Sequence, residues 1–419
     1  MHRSKLYFGS IATLAILILA VTLSSTRASA QTESVLHDFT NSATDAGYPR
    51  ANPTFKAGNL YGTSSFGGTA DGGTVYELTR ETGGWVSTVL YSFSPKPKYG
   101  ADSISSVVFD KAGNLYGTTS LGGSKNDGRV FKLSPKTGGG WSGSYVHIFG
   151  ETSTDGVSPL GGVTVDAAGN LYGTTIYGGT GTCGGLTCGT VFELSPASGG
   201  GWTEKILHNF TGSVTDGAFP ESSLIFDKAG NLYGTTYDGG AYGWGSVFEL
   251  SPAGGGAWTL TILHSFDNNG TDGTLPVGPL TFDAAGNLYG TTSYGGTNYG
   301  TIFELTPQSG GGWNEEILYT FVDGNEGSNP IYPGATVVLD KAGNIYGVSG
   351  GGSGLTGTVF EMSPQAGGTW SFNVLYDFND LGTTGESPVG VILDTHGNLY
   401  GVTGGGGTDK VGTAFEVTP

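Results

Sequence analysis

The chain is short of positive charge, cysteine, histidine and long apolar runs, and each shortage removes a class of function. Its 419 residues carry 17 Lys and Arg against 35 Asp and Glu, a formal net charge of −18. Such a surface repels nucleic acid and anionic lipid, so neither is an expected partner. Two cysteines in the whole chain exclude a disulfide-dense scaffold and a four-cysteine zinc module. Of six histidines, His37, His147, His208 and His264 recur at one position of the repeat described below, and so are spread rather than gathered. No imidazole cluster or metal centre is expected from that spread. Beyond residue 30 the arginines are Arg50, Arg80 and Arg129, too scattered for an arginine clamp.

The long apolar run is Ile11 to Leu23, preceded by His2, Arg3 and Lys5 and followed by Ala28-Ser29-Ala30. A basic start, an apolar stretch well below the roughly twenty residues of a span, and small residues at a cleavage position predict a secretory signal peptide over 1–30. A membrane anchor is the competing reading. Cleavage after Ala30 removes Arg3, Lys5 and Arg27 and leaves 14 basic against 35 acidic side chains, a net charge of −21. The expected location is extracellular or periplasmic, with no membrane insertion after cleavage and no C-terminal anchor. In that compartment Cys183 and Cys188, in Cys-Gly-Gly-Leu-Thr-Cys, are expected to pair as a disulfide.

What the chain has in quantity is glycine, 79 residues, with 21 Tyr and 21 Phe. Gly-Asn-Leu-Tyr-Gly begins at Gly58, Gly113, Gly169, Gly230, Gly286 and Gly397, and Gly-Asn-Ile-Tyr-Gly at Gly343. The spacing of 54 to 61 residues marks one supersecondary unit in tandem. In the copy from Pro220 to Phe266, short β-branched and aromatic runs alternate with the Asp227-Lys-Ala-Gly230 turn, a Gly-rich loop and a stop at Ser251-Pro252, giving four antiparallel strands. Four such strands make a propeller blade. The third strand recurs seven times, from Val75–Leu78 to Ala414–Val417, and the fourth seven times, from Val35–Phe39 to Val374–Phe378. The order is offset: residues 31–419 start with a fourth strand and end with a third. Pairing Glu33–Phe39 with the last unit closes a ring and leaves no open edge. The expected fold is all-β, a single closed seven-bladed β-propeller, and a monomer. The first unit lacks the Asp before its turn and carries Pro53, so its inner strand is expected to be irregular.

Gly-Asn-Leu-Tyr-Gly-Thr-Thr, then Tyr-Gly-Gly, then Gly-Thr-Val-Phe-Glu-Leu, as at Gly169 to Leu194, resembles the GloVer tandem repeat of "choice-of-anchor" secreted bacterial proteins. The resemblance covers nearly all of 33–419. It implies export and a repeat architecture, and it brings no catalytic residues.

Propeller loops alternate between two faces. Asp-Xaa-Ala-Gly-Asn and Ser-Pro-Xaa-Xaa-Gly-Gly-Gly-Trp turns share one face and barely vary between copies. Loops joining second to third strands, with the inter-blade links, share the other face and vary widely. Diversified loops on a rigid frame are where recognition is expected. The candidate ligand-binding residues there are Tyr177, Tyr237, Tyr242, Trp244, Tyr294 and Tyr299, whose rings suit stacking on sugars or peptide side chains. Tyr177, Tyr237 and Tyr294 read as one shared position, for which packing between blades competes with binding. Trp244 lies off the repeat pattern.

The links carry Asp45, Asp155, Asp216 and Asp272, of which the last three are also candidate ligand contacts. Together they offer oxygens to calcium, against plain Asp-Gly turn chemistry. No other cofactor is expected. Glu77, Glu193, Glu249, Glu304, Glu361 and Glu416 recur on third strands, with Lys132 in the remaining copy, and repetition argues structural pairing. The approaches to the inner strands (Ser103 to Ser106, Gly161-Gly162, Glu221 to Ser223, Val277 to Pro279, Gly334 to Thr336, Val389-Gly390) hold one acid, Glu221. The reading is a secreted non-catalytic propeller that binds a glycan or protein through the variable face. The alternative is a propeller enzyme of lactonase, lyase or glycosidase type.

Overall fold

The computed structural model describes residues 32–94, 105–276, 278–322, 336–352, 355–378 and 384–418. The expected signal peptide over 1–30 lies outside them, as do Ser103, Val277 and Gly334. Among the described residues no helix is long and apolar enough to cross a membrane.

Blade 4 shows how the repeat folds. Ile225–Phe226, Leu232–Thr236, Ser246–Pro252 and Trp258–Ser265 pair antiparallel in that order. Asp227 makes the first turn: Oδ1 accepts the backbone N–H of Ala229 and of Asn231 at 2.8 Å each, and Oδ2 accepts Asn231 Nδ2 at 2.9 Å. Gly230 completes the turn at φ +90°, a conformation that side chains resist. Leu232 is fully buried. A methyl group on Gly234 would lie 2.8 Å from Phe248 Cζ, so the second glycine of the motif leaves room for the third-strand ring.

The tyrosine of the motif crosses to the third strand. Tyr61, Tyr172, Tyr289, Tyr346 and Tyr400 donate to Glu77, Glu193, Glu304, Glu361 and Glu416 at 2.6 to 3.1 Å. Structural pairing of these acids was expected and is found. Where Lys132 replaces the acid, its ammonium sits 5.5 Å from the centre of the Tyr116 ring, a cation–π contact.

Seven such sheets, blades 1 to 7 in the order of their second strands Asn59–Gly67, Leu115–Thr119, Leu171–Thr175, Leu232–Thr236, Leu288–Gly295, Ile345–Ser349 and Leu399–Gly406, form a ring, a seven-bladed β-propeller. Thr32–Asp38 pairs antiparallel with Thr413–Thr418, from Thr32 opposite Thr418 to Asp38 opposite Thr413. The first strand thus completes the last blade. Apolar clusters fill the space between blades, as where Tyr233, Val247 and Phe266 meet Leu280, Leu288 and Phe303. Phe39, Phe93, Phe149, Phe210, Phe266, Phe321 and Phe378, one at the end of each outer strand, are all fully buried. Each such burial is worth about 1.5–3 kcal/mol.

The inner strand of blade 1 is broken into Ala46–Pro49 and Thr54–Lys56, with Pro53 just before the second piece. Its missing Asp is replaced by a tight hairpin in which Ala57 and Gly58 both take positive φ, +53° and +89°. The break recurs in blades 3 to 5, whereas the inner strand of blade 7, Gly385–Leu393, is continuous. Blade 5 divides into Gly273–Pro276 and Thr281–Phe282, and in blades 3 and 4 the approach forms a separate pair with the end of the second strand. Tyr48, Ser158, Phe219, Leu275 and Ser387 mark this kink with φ of +54° to +57°.

Candidate functional site

The second-to-third loops of blades 3 to 5 place the candidate aromatics. Tyr242 is 58% exposed, Tyr294 49%, Trp244 39% and Tyr177 37%. The Trp244 loop is docked, not loose: its carbonyl accepts the Leu275 N–H at 2.9 Å from the next link. Tyr177 meets Phe219 edge-on at 5.7 Å, so one of its sides is committed to packing. Tyr299 is half-buried against the cluster of Tyr289, Ile302 and Phe321.

Tyr177, Tyr237 and Tyr294 do not share one position, which corrects the sequence reading. Tyr177 pairs opposite Val157 and Tyr294 opposite Thr274, but opposite Ala218 stands Asp238. Tyr237 is therefore one residue out of phase, and successive strand residues face opposite sides. It is half-buried, with Glu221 and Tyr294 close enough to act on it: burial first, then the charge of Glu221, raises its phenol pKa.

The inner strands enclose a cavity of about 140 Å³ at the channel end, lined by Asn52, Ser105, Ser106, Glu221, Ser222, Ser223 and Thr336 among others. Most of its hydroxyls serve neighbouring strands. Ser106 Oγ donates to Asn52 O at 2.9 Å, Ser223 Oγ donates to Gly161 O, and Ser222 Oγ accepts from Thr235 Oγ1 at 2.9 Å. Glu221 is the acid among the lining residues, and burial pushes its carboxyl up to about 7. Two larger concavities lie on the uniform face. One of about 940 Å³ runs between the Asp turns of blades 5 to 7, with Phe282, Tyr289, Leu339 and Leu393 in its wall. The other, about 380 Å³, holds Phe55, Arg80, Trp85 and Tyr400. Turn uniformity carried no hint of either.

The link carboxylates do not converge. Each is buried against a histidine eight residues earlier: His37 Nε2 to Asp45 at 2.9 Å, His147 to Asp155 at 3.4 Å, His208 to Asp216 at 3.0 Å and His264 to Asp272 at 3.3 Å. Asp45, Asp155 and Asp216 resist the upward push of burial, because the imidazole bond and charge hold them below the usual carboxylate range. The same carboxylates accept backbone N–H groups at the corner, such as Thr211 N at 3.0 Å on Asp216 Oδ2. These pairs pin each link to the outer strand before it. In two places a glutamate from the next blade joins the pair: Glu204 at His147–Asp155 and Glu315 at His264–Asp272. Sequence reasoning kept the imidazoles apart, correctly, and missed that each gathers carboxylates. Cys183 and Cys188 are joined as a disulfide, with Cα atoms 5.5 Å apart, in the blade 3 loop of this face.

A family model described as the Gloeobacter/Verrucomicrobia repeat matches residues 20–225 and 144–332. No curated protein matches the sequence. Among solved structures the chain is similar to an ancestral GH74 enzyme, at 14% identity over 89% of this chain and 48% of that one, with a TM-score of 0.57. It is also similar to a puromycin-hydrolyzing peptidase of Mycobacterium tuberculosis, at 14% identity over 88% of this chain and 53% of that one, with a TM-score of 0.50. The chain spans about half the length of each, and at such identity the likeness is one of fold. The two family matches together run from residue 20 to residue 332, most of the chain, and the chain belongs to the Gloeobacter/Verrucomicrobia repeat family.

Proposed function

We propose that this protein is an exported, non-catalytic binding propeller that takes a glycan on the variable face of blades 3 to 5. The observation that carries this reading is the group of exposed rings on one face, Tyr177, Tyr242, Trp244 and Tyr294, with Tyr237 and Glu221 nearer the channel. Ring faces stack on the C–H faces of sugars, and a carboxyl among them accepts or donates to hydroxyls. Glycine-rich loops bring backbone amides to the same surface. Completion of the last blade by the first strand leaves no blade short of its outer strand and supports a monomer, and the leader read from the sequence over 1–30 supports an extracellular or periplasmic location. Calcium has no part in this reading, since the four link carboxylates sit at separate blade junctions and offer no shared set of oxygens.

A glycan array with the full mature chain tests the proposal. Tyr294→Ala and Trp244→Ala are each expected to weaken the same hits by about fivefold or more, the worth of roughly 1–3 kcal/mol per stacked ring. A blank array, or hits indifferent to both substitutions, sinks the glycan reading; capture of one envelope protein that needs the same rings would replace it with a protein partner.

One observation favours the catalytic alternative: a carboxyl that titrates near 7 suits a general acid. A two-carboxylate hydrolysis needs a second acid about 5–9.5 Å away, and Glu221 stands alone among the cavity-lining residues. Turnover of a polysaccharide or lactone that vanishes in Glu221→Gln would overturn the binding reading.

A further inference from the structure

The blade junctions contain an internal experiment. At four of them a His–Asp pair meets a third residue, the outer-strand position opposite the third-strand leucine of the next blade. That residue is Ser87 beside His37–Asp45, Leu260 beside His208–Asp216, Glu204 beside His147–Asp155 and Glu315 beside His264–Asp272. Where it is Ser or Leu, imidazole and carboxylate are 2.9 and 3.0 Å apart, an ordinary hydrogen bond. Where it is Glu, the imidazole nitrogen stands off from both acids: His147 Nε2 is 3.4 Å from Asp155 and 3.4 Å from Glu204, and His264 Nε2 is 3.3 Å from Asp272 and 3.3 Å from Glu315.

Those lengths are long for charged hydrogen bonds, which run about 2.7–2.9 Å. They match the edge of a tetrahedron whose centre lies about 2.0–2.1 Å from each corner, an edge of about 3.3–3.4 Å. Some of the oxygens also lack donors. Among the described residues Glu204 Oε1, Asp272 Oδ1 and Glu315 Oε1 are buried with no hydrogen-bond partner, and the Asp272 side chain is only 8% exposed, whereas Asp155 Oδ1 and Asp272 Oδ2, which face the imidazoles, accept Gly156 N at 2.7 Å and Asp267 N at 2.8 Å. Buried carboxylate oxygens without a donor are costly, and a cation between them removes the cost.

We propose that the two junctions are equivalent sites for a divalent transition metal of the zinc class, each held by one imidazole nitrogen and one oxygen from each of two carboxylates. One nitrogen and two oxygens match zinc better than calcium, which takes six to eight oxygens. Three protein ligands leave a fourth position for water or an outside donor. The imidazoles are 18% and 20% exposed, so the ion has a path from the rim. A metal there ties the outer strand of one blade to the next, blade 2 to 3 and blade 4 to 5.

The test uses the full mature chain, free of any histidine tag, stripped with EDTA, dialysed and titrated with ZnCl2 by calorimetry, with metal counted by mass spectrometry. The expected result is two equivalents for the parent, one for Glu204→Leu and none for Glu204→Leu/Glu315→Leu, with a zinc-induced rise in melting temperature in the parent that the double variant loses. Leucine is the residue at the His208 junction, so the fold accommodates it. Should the double variant misfold, Glu204→Gln/Glu315→Gln with an unchanged circular dichroism spectrum carries the same expectation. A parent that binds no zinc, a double variant that still binds two equivalents, or calcium bound as tightly as zinc overturns the proposal.

Discussion

Replacing Glu221 by Gln should change how stability depends on pH in a calculable way. Glu221 lines the central cavity with no cation among the described lining residues, and burial raises its carboxyl from 4.5 to about 7. The folded protein therefore holds this proton more tightly than the unfolded chain does. Stability from this group is present in full below about pH 4.5, declines as pH rises, and is lost above about pH 7. The interval from 4.5 to about 7 is worth about 3 kcal/mol at 1.36 kcal/mol per pH unit. Glutamine keeps the shape and removes the charge. The variant should match the parent near pH 4 and exceed it by up to about 3 kcal/mol near pH 8. Urea unfolding followed by tryptophan fluorescence across this range gives the difference curve, in which every other titrating group cancels. A flat difference would mean that Glu221 is solvated or paired; a gain that grows toward acid would reverse the sign. Either result refutes a desolvated lone carboxyl, and with it the electrostatic setting of both functional readings.

Other consequences concern the frame. Tyr76 occupies the position of Phe131, Phe192, Phe248, Phe303, Phe360 and Phe415, and its buried hydroxyl has no partner among the described residues, so Tyr76→Phe should stabilise by about 1–3 kcal/mol in chemical denaturation; a loss of stability would reveal a bond that the hydroxyl makes. Gly290→Ala puts a methyl group 2.5 Å from Phe303 Cζ and 2.9 Å from Leu280 Cδ2 and should cost about 1–3 kcal/mol, whereas an unchanged denaturation midpoint would show a slack blade interface. Deleting 32–38 bares the strand Thr413–Thr418 as an open edge, so size-exclusion chromatography should show oligomers or aggregate; a stable monomer would argue against closure by this strand.

How much was legible follows from how each feature is encoded. Blade count and closure were open to reading because they depend on period and phase, which survive any error in a single strand. The Gly-Asn-Leu-Tyr-Gly motif was visible, but its logic needed coordinates. One glycine turns, the other makes room for a ring from the next strand, and the tyrosine reaches an acid some sixteen residues on. Tyr237 was misplaced because a one-residue slip in a strand moves a side chain to the other side of the sheet. The concavities of the uniform face were invisible for a different reason. They lie between turns, and the width of that gap is set by the ring, not by any local residue.

The junctions were legible in principle, and the way they were missed is instructive. Taken singly, the histidines of the outer strand looked like scattered surface residues and the link aspartates like turn formers. Their variation across the seven copies says more. Asp follows His by eight residues at 37 and 45, 147 and 155, 208 and 216, and 264 and 272. Where Tyr stands instead, at Tyr91, Tyr319 and Tyr376, the residue eight further on is Tyr99, Gly327 and Thr384. Two positions that change together within one chain touch, for the same reason that covarying positions touch between chains. The third member escapes even this comparison, because it comes from the following blade, 57 residues away for His147 and Glu204 and 51 for His264 and Glu315. A residue that changes alone, as Trp244 does, has no partner to constrain it and faces solvent. Concerted change across copies thus finds the joints of a propeller, and solitary change finds the surface free to meet something else.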